Sequence, residues 1–259
     1  MARSPTVVTT EQVGAPGQER RGGPLRDQIE VVTRLAGAAV LAGALTGALI
    51  AGVGSRLVMR LVTLQSDDRL RGLETDDGAR VGEISLDGTL GLLGFVTSLG
   101  VLGGLVYLVA RRWLPAGARS RHAAFAIVAA VLAGQGIVRR DGVDFTVLGS
   151  PLLSAVLFIA LIGAYGWATA ALVDRFVRSD GLFRRCALGR AAAPLVLILP
   201  TPLIVFVPAG MAVALLAAVR PEVAAVLRSR AVSVLGVVAL SAVTVLAAGS
   251  LLGTLVDIA

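Results

Sequence analysis

Six long apolar runs divide the chain, and arginines lie at their boundaries. Each run is close to the roughly 20 residues that a helix needs to cross a hydrocarbon core of about 30 Å. No Asp, Glu, Lys or Arg interrupts them, which is typical of helices that face lipid. The pattern predicts an all-α fold, a polytopic helical membrane bundle with about six transmembrane helices. The predicted spans are Leu35–Gly54, Leu90–Ala110, His122–Val138, Pro151–Val173, Ala191–Val219 and Val232–Val256.

The segments outside these runs are a tail and short loops. Residues 1–34 are predicted to be a polar, disordered cytoplasmic tail, and residues 35–259 to be the six-helix transmembrane domain. The stretch Leu25–Arg34 also fits a short amphipathic helix that leads into the membrane. The acidic loop Thr63–Thr89 has turn signals around alternating apolar residues, which allow a small extramembrane β-hairpin. A solvated acidic loop is the alternative, because its carboxylates do not match the spacing of a calcium-binding loop.

Composition supports the membrane interpretation. The chain is 56% hydrophobic and only 16% charged, whereas about a quarter of the residues of a soluble chain are charged. The formal net charge of +7 would suggest a nucleic-acid partner in a soluble protein. Here the arginines fall in loops, where they anchor helices to headgroups. We therefore expect the lipid bilayer as partner, together with a membrane-protein partner or a second copy of the chain, and no nucleic acid.

The arginine distribution predicts an orientation for a six-span chain. Fourteen of the 24 arginines fall in the tail, the second loop and the fourth loop, and ten fall in the other three loops. Loops with more arginine stay in the cytoplasm. Six crossings would then place both termini on the cytoplasmic side of the cell membrane.

Two arginines near the end of the first span are a candidate charge cluster. Arg56 and Arg60 are four residues apart and would share one helix face. In the six-span topology the loop that contains Asp141 and Asp144 lies on the same outer side. The pattern allows an outer-face cluster of these four side chains, and headgroup anchoring of the two arginines is the alternative.

The fifth span contains a candidate helix break. Pro200, Thr201, Pro202 and Pro208 lie close together, and each interior proline frees a carbonyl that lipid does not satisfy. One interpretation is a break that lines a cavity, as in transporters with discontinuous helices. The other is a kinked helix whose freed groups bond to Thr201 or to Gln135 of the third span.

Small residues recur at helix-packing intervals. Gly43/Gly47, Gly100/Gly104 and Gly249/Gly253 are each four apart, a spacing that lets two helix backbones approach closely. We expect packing within the bundle in preference to a dimerisation motif.

Few residues in this sequence suggest chemistry. His122 and Cys186 have no metal-ligand neighbours at usual spacings and are interpreted as boundary residues, so we expect no catalytic residue, cofactor or metal site. An enzyme is disfavoured, although a lipid-modifying enzyme that uses the outer-face acids is a third hypothesis. No phosphate-binding or zinc-protease motif is present.

Two segments carry a resemblance. They resemble a group of uncharacterised multi-pass membrane proteins of high-GC actinobacteria. The first is Gly54-Ser-Arg-Leu-Val-Met-Arg60 with the acidic loop that follows it, and the second is Asp144-Phe-Thr-Val-Leu-Gly149-Ser-Pro151. The resemblance covers roughly residues 35–175 and implies a membrane location, with no assigned activity.

Two functions stay open. The first is a structural or accessory membrane component, and the alternative is a transporter or channel for a small neutral or lipid-like solute through the fifth span.

Overall fold

The computed structural model describes residues 24–64, 86–137, 151–178, 181–199 and 229–258, with 220, 222 and 225–226. All regular structure in these ranges is helical, which confirms the all-α prediction for this part of the chain. The elements are α1 (Pro24–Thr46), the π-helix π1 (Gly47–Val53), α2 (Gly54–Leu64), α3 (Leu86–Ala110), α4 (Ala118–Ile137), α5 (Pro151–Val177), α6 (Leu182–Arg185), α7 (Leu188–Ala192), the 3-10 helix η1 (Ala193–Ile198) and α8 (Arg230–Ile258).

The first helix is longer than predicted. α1, π1 and α2 follow one another without a break, and Gly54 keeps ordinary helical dihedral angles where π1 joins α2. This confirms that the helix continues past Gly54. Residues 24–34 are helical as well, which agrees with the amphipathic helix predicted over Leu25–Arg34 and not with the disorder predicted for the tail. Pro24 is favourable in a first turn because its missing N–H has no partner there, and Asp27 complements the positive end of the helix dipole. Residues 1–23 lie outside the described residues.

Glycines bring the backbones of α1 and α3 into contact. A Cβ on Gly43 would overlap the carbonyl oxygen of Gly100, and a Cβ on Gly100 would overlap that of Gly43. Gly104 lies equally close to the carbonyl of Ala39. These contacts confirm that the predicted small-residue pairs on α1 and α3 pack within the bundle. Such close approach strengthens dispersion contacts where no hydrophobic effect drives helices together.

Helices α3, α4 and α5 alternate in direction after the first helix. We call the end that contains Arg34, Tyr107, Arg121 and Asp174 the proximal end, and the end that contains Arg56 and Gln135 the distal end. The contacts that fix these directions are Gly43–Gly100 and Gly52–Leu93 for the first helix with α3, Thr46–Thr169 and Gly54–Leu161 for the first helix with α5, and Arg121–Asp174 and Gly134–Ile159 for α4 with α5.

Helix α8 runs parallel to α1 and α4. Near its start, Gly236 lies against the indole of Trp113, in the turn that joins α3 to α4 at the proximal end. Further along, Leu251 packs with Ala155 of α5 and lies next to Gly134 of α4, towards the distal end. The last helix therefore begins at the proximal end and finishes at the distal end.

This direction differs from the one that six alternating spans predict. Six single crossings would make the last helix antiparallel to the first and would place both termini at one end. In the structure α1 begins at the proximal end, whereas α8 finishes at the distal end. The fifth predicted span, Ala191–Val219, lies mostly outside the described residues. Its described part starts at the proximal end, where Ala191 meets Gly37, and Ile198 packs beside Val40 and Val101. One crossing from there would deliver α8 to the distal end.

The count of six spans is not confirmed. Within the described residues, four helices are long and apolar enough to cross a membrane. Helix α4, which corresponds to the third predicted span, packs between α5 and α8, but polar residues at both of its ends shorten its apolar part. The described part of the predicted loop after the first helix is also helical, since α3 begins at Leu86. The four helices are Arg26–Leu61, Leu90–Ala110, Leu152–Val177 and Arg230–Val256.

Candidate functional site

A charged cluster joins the start of α4 to the end of α5. We call it the boundary cluster, and it consists of Tyr107, Arg121, His122, Trp167 and Asp174. Arg121 Nη2 donates to Asp174 Oδ2 at 2.8 Å, and His122 Nε2 donates to the same oxygen at 3.0 Å. The side chains of Arg121, Asp174 and His122 are 25%, 17% and 12% exposed. Because an ionised carboxylate only accepts, the imidazole hydrogen is assigned to Nε2.

Aromatic rings surround this ion pair. Tyr107 is fully buried, and its ring meets Phe125 edge-on with centroids 4.9 Å apart. Its hydroxyl lies beside Asp174 and Arg121 without hydrogen-bond geometry to any described residue. Trp167 meets the ring of His122 edge-on at 6.0 Å and is half exposed on its other side. The rings exclude water from one side of Asp174, which strengthens its contacts with both donors.

The chemistry available to the boundary cluster is limited. An imidazole beside a carboxylate is the usual pair for proton transfer, but catalysis also needs a reacting group within hydrogen-bond reach. Among the described residues, His122 bonds to Asp174 and to no hydroxyl or thiol. That same part of the chain contains no group of three or more His, Cys, Asp or Glu placed to hold a metal ion. The geometry fits a polar link between α4 and α5.

A second polar link holds α1 against α6. Arg34 donates from Nη1 to the carbonyl oxygens of Phe183 and Cys186, the latter at 2.8 Å. Its Nε and Nη2 donate to Glu30 at 3.0 and 2.7 Å. The last carbonyls of a helix have no backbone partner within that helix, and Arg34 donates to two of them. Cys186, the predicted boundary cysteine, contributes its carbonyl oxygen to this link, and its Sγ donates to the Phe183 carbonyl at 3.7 Å.

The structure describes two of the four predicted outer-face residues. Arg56 and Arg60 lie one turn apart on α2 at the distal end, with Arg56 half-buried and Arg60 exposed. Arg56 Nε is buried and has no hydrogen-bond partner among the described residues. Asp141 and Asp144 lie outside those residues, so the proposed cluster stays a prediction.

The predicted helix break also falls mainly outside the described residues. The residues outside the described ranges are Pro200, Thr201, Pro202 and Pro208. Gln135 is described and lies half-buried near the end of α4. The part of the span before Pro200 already departs from an α-helix. It continues as the 3-10 helix η1, whose first turn contains a proline, and a proline in that position removes a backbone donor.

Sequence reasoning missed the boundary cluster. His122 is predicted to be a boundary residue without metal-ligand neighbours, and Asp174, which directly follows the predicted fourth span, is not among the candidate residues. One signal was available. In two antiparallel helices the start of one lies beside the end of the other, and Asp174 is the single acid in Pro151–Val177. An arginine–histidine pair at the start of α4 therefore had one plausible carboxylate.

Together, the fold and the site define an all-helical bundle with four helices long and apolar enough to cross a membrane. A comparison of the chain with protein-family models finds no match, and comparisons with curated proteins and with solved structures find none either.

Proposed function

We propose that this chain is an integral protein of the cell membrane that acts as a structural or accessory component. The supporting observation is the closed centre of the bundle. The backbones of Gly43 and Gly100 touch there, and the hydroxyls of Thr46 and Thr169 are 2.6 Å apart. The Tyr165 hydroxyl donates to the Gly100 carbonyl at 3.1 Å. A solute path between these helices would have to open contacts that are already satisfied.

The distribution of apolar surface supports insertion in lipid. Leu246 and Val256 of α8 are 74% and 75% exposed, and most of the other large apolar side chains of that helix also point away from the bundle. An apolar surface of this extent is unfavourable in water and favourable in hydrocarbon. Four hydroxyls on the other helices donate to carbonyls of their own helices, which removes unpaired donors from the lipid phase; they are those of Thr46, Ser55, Thr97 and Ser98.

The direction of α8 supports a revised orientation. The three arginines that precede α8 in the described topology (220, 228 and 230) belong with the fourteen of the tail, second and fourth loops. Seventeen arginines then share the proximal end and seven share the distal end. The positive-inside rule places the proximal end in the cytoplasm. The N-terminus is therefore cytoplasmic in this proposal and the C-terminus is on the opposite side.

An accessory role predicts that the exposed face of α8 meets another protein. A photoreactive residue in place of Leu246 is expected to give a discrete protein adduct in native membranes. The same residue in place of Leu251, which is 6% exposed, is the matched control and is expected to give none. Adducts with lipid alone at Leu246 would contradict the accessory role.

The transporter hypothesis predicts a different result at the centre of the bundle. In a Cys186→Ser background, Thr169→Cys places the single thiol at a fully buried position beside Thr46. The closed bundle protects that thiol from a membrane-impermeant thiol reagent in intact membranes, even though the reagent modifies it after denaturation. Reaction in intact membranes would show water at the centre and would favour transport.

A further inference from the structure

Five arginines at the proximal end form a basic surface. We call it the arginine rim, and it consists of Arg111, Arg112, Arg119, Arg175 and Arg178. Arg111 is half-buried and the other four are exposed. Among the described residues, none of the five lies within ion-pair distance of a carboxylate. The two carboxylates that do form ion pairs at this end, Glu30 and Asp174, are bound by other donors.

The arginine rim lies where helices leave the apolar part of the bundle. Arg111 directly follows α3, Arg119 is in the first turn of α4, and Arg175 is in the last turn of α5. Between the first two, the Arg112 guanidinium covers the ring of Trp113 at 4.3 Å, and the indole rests against Gly236 of α8. Tryptophan and arginine at helix ends are typical of the headgroup level of a membrane.

Charge distinguishes the two ends of the bundle. In the topology proposed above, the segments assigned to the proximal end contain seventeen arginines and seven acidic residues, and those assigned to the distal end contain seven arginines and ten acidic residues. Excess positive charge is therefore confined to the proximal end. Guanidinium groups bind phosphate oxygens in a two-pronged geometry, and clustered arginines attract anionic lipids.

We propose that the arginine rim is a docking surface for anionic lipid headgroups, with Trp113 at the level of the bound phosphates. The proposal rests on the proposed membrane insertion. A lipid phosphate is favoured over a soluble polyanion because the rim directly adjoins the apolar helix surfaces, within reach of phosphates already at the bilayer face. Trp113 Nε1 itself is buried against Gly236 of α8, so the arginines supply the donors to the phosphate and the indole marks its level.

Tryptophan quenching by brominated lipids tests the proposal on the full chain. The protein has two tryptophans, so Trp167→Phe leaves Trp113 as the single reporter. The variant is reconstituted with dibrominated phosphatidylglycerol or dibrominated phosphatidylcholine at matched mole fractions. We expect phosphatidylglycerol to bind next to Trp113 about threefold more strongly, since each arginine near the surface contributes attraction. A molar concentration of KCl is expected to lower this ratio towards one.

Two sets of substitutions locate the effect. We expect the threefold preference for phosphatidylglycerol to fall to about one in the triple variant Arg111→Gln, Arg112→Gln and Arg119→Gln. Arg56→Gln with Arg60→Gln, at the distal end, is the matched control and should leave it unchanged. Equal quenching by both lipids in the Trp167→Phe protein would overturn the proposal, as would an equal loss in the distal control.

Other outcomes separate the arginine rim from membrane insertion. If neither lipid quenches Trp113, nor Trp167 in a Trp113→Phe variant, membrane insertion itself fails and the lipid surface fails with it. Quenching by both lipids without preference leaves insertion intact and removes only the headgroup surface. If excess short RNA abolishes the phosphatidylglycerol preference at physiological salt, the rim binds soluble polyanions and the lipid assignment is wrong.

Discussion

At the scale of single residues, this bundle is held by two kinds of contact. Polar links such as Asp174 with Arg121 and His122 join helices where they reach the water boundary. Glycines such as Gly100 act inside the bundle by the absence of a side chain. The polar links depend on charge and the glycine contacts on side-chain volume. Substitutions that change only charge or only volume therefore test them separately.

Removing the charge of Asp174 tests the polar link. Asp174→Asn is expected to lower the free energy of unfolding by about 1–3 kcal/mol, because Arg121 and His122 lose the ionised acceptor they share in a mostly buried site. Thermal unfolding in detergent measures the change. Asp27→Asn is the control, since Asp27 is exposed on α1. If both variants unfold at the same temperature as the parent, the boundary cluster does not stabilise the bundle.

Adding one methyl group tests the glycine contact. Gly100→Ala should destabilise the bundle by about 1–3 kcal/mol or more, because its Cβ would overlap the backbone of Gly43 and neither helix backbone yields easily. The matched control is Gly249→Ala on α8, where a Cβ meets no described atom within 4 Å. Denaturant titration in micelles compares the two. Equal stability of the variants would contradict the close packing of α1 on α3.

The sequence predicted some contacts between individual residues and did not predict others. The spacing of Gly43, Gly47, Gly100 and Gly104 indicated close packing because glycines four apart always share a helix face. The same argument applied to Gly249 and Gly253, which meet no described neighbour. Spacing along one helix shows which residues are aligned and does not show which helix faces them. The contact of His122 with Asp174 depends on the register of two helices, which the sequence does not record.

At the scale of elements, apolar length predicted helices well and their ends poorly. Runs without charge form helices because backbone groups in hydrocarbon bond within the segment. The first helix exceeds its apolar run at both ends, since Leu25–Arg34 and Arg56–Leu64 also have helical spacing. It also contains π1, which begins directly after Thr46, the residue whose hydroxyl donates to the carbonyls of Ala42 and Gly43. Such local changes of helix type depend on packing and have no sequence rule as firm as hydrophobic length.

At this scale, the direction of α8 is the feature that differs most from the sequence-based prediction. The alternation of spans assumes that every apolar run crosses the membrane once. The run that begins at Ala191 contains prolines, and its described part becomes η1 within a few residues. By composition, such a run is predicted to be a span. Only the contacts of the following helix show at which end of the bundle that helix begins. Gly236 beside Trp113 supplies that information for α8.

At the scale of the whole molecule, charge and direction agree. Among the described residues, the proximal end holds the arginine rim and both polar links, and the proposed topology assigns the acidic loop to the distal end. The contacts that set the direction of α8 are independent of charge, yet they sharpen the arginine asymmetry from fourteen against ten to seventeen against seven. This agreement is the reason for proposing a bundle with its termini on opposite sides of the membrane.

Labelling of single cysteines in intact cells tests this arrangement most directly. In the Cys186→Ser background, Ser4→Cys and Ala259→Cys each provide one thiol for a membrane-impermeant maleimide. We expect Ala259→Cys to react in intact cells and Ser4→Cys to react only after the membrane is permeabilised. Reaction of both thiols from the same side, or exposure of residue 4 with protection of residue 259, would contradict the proposed bundle.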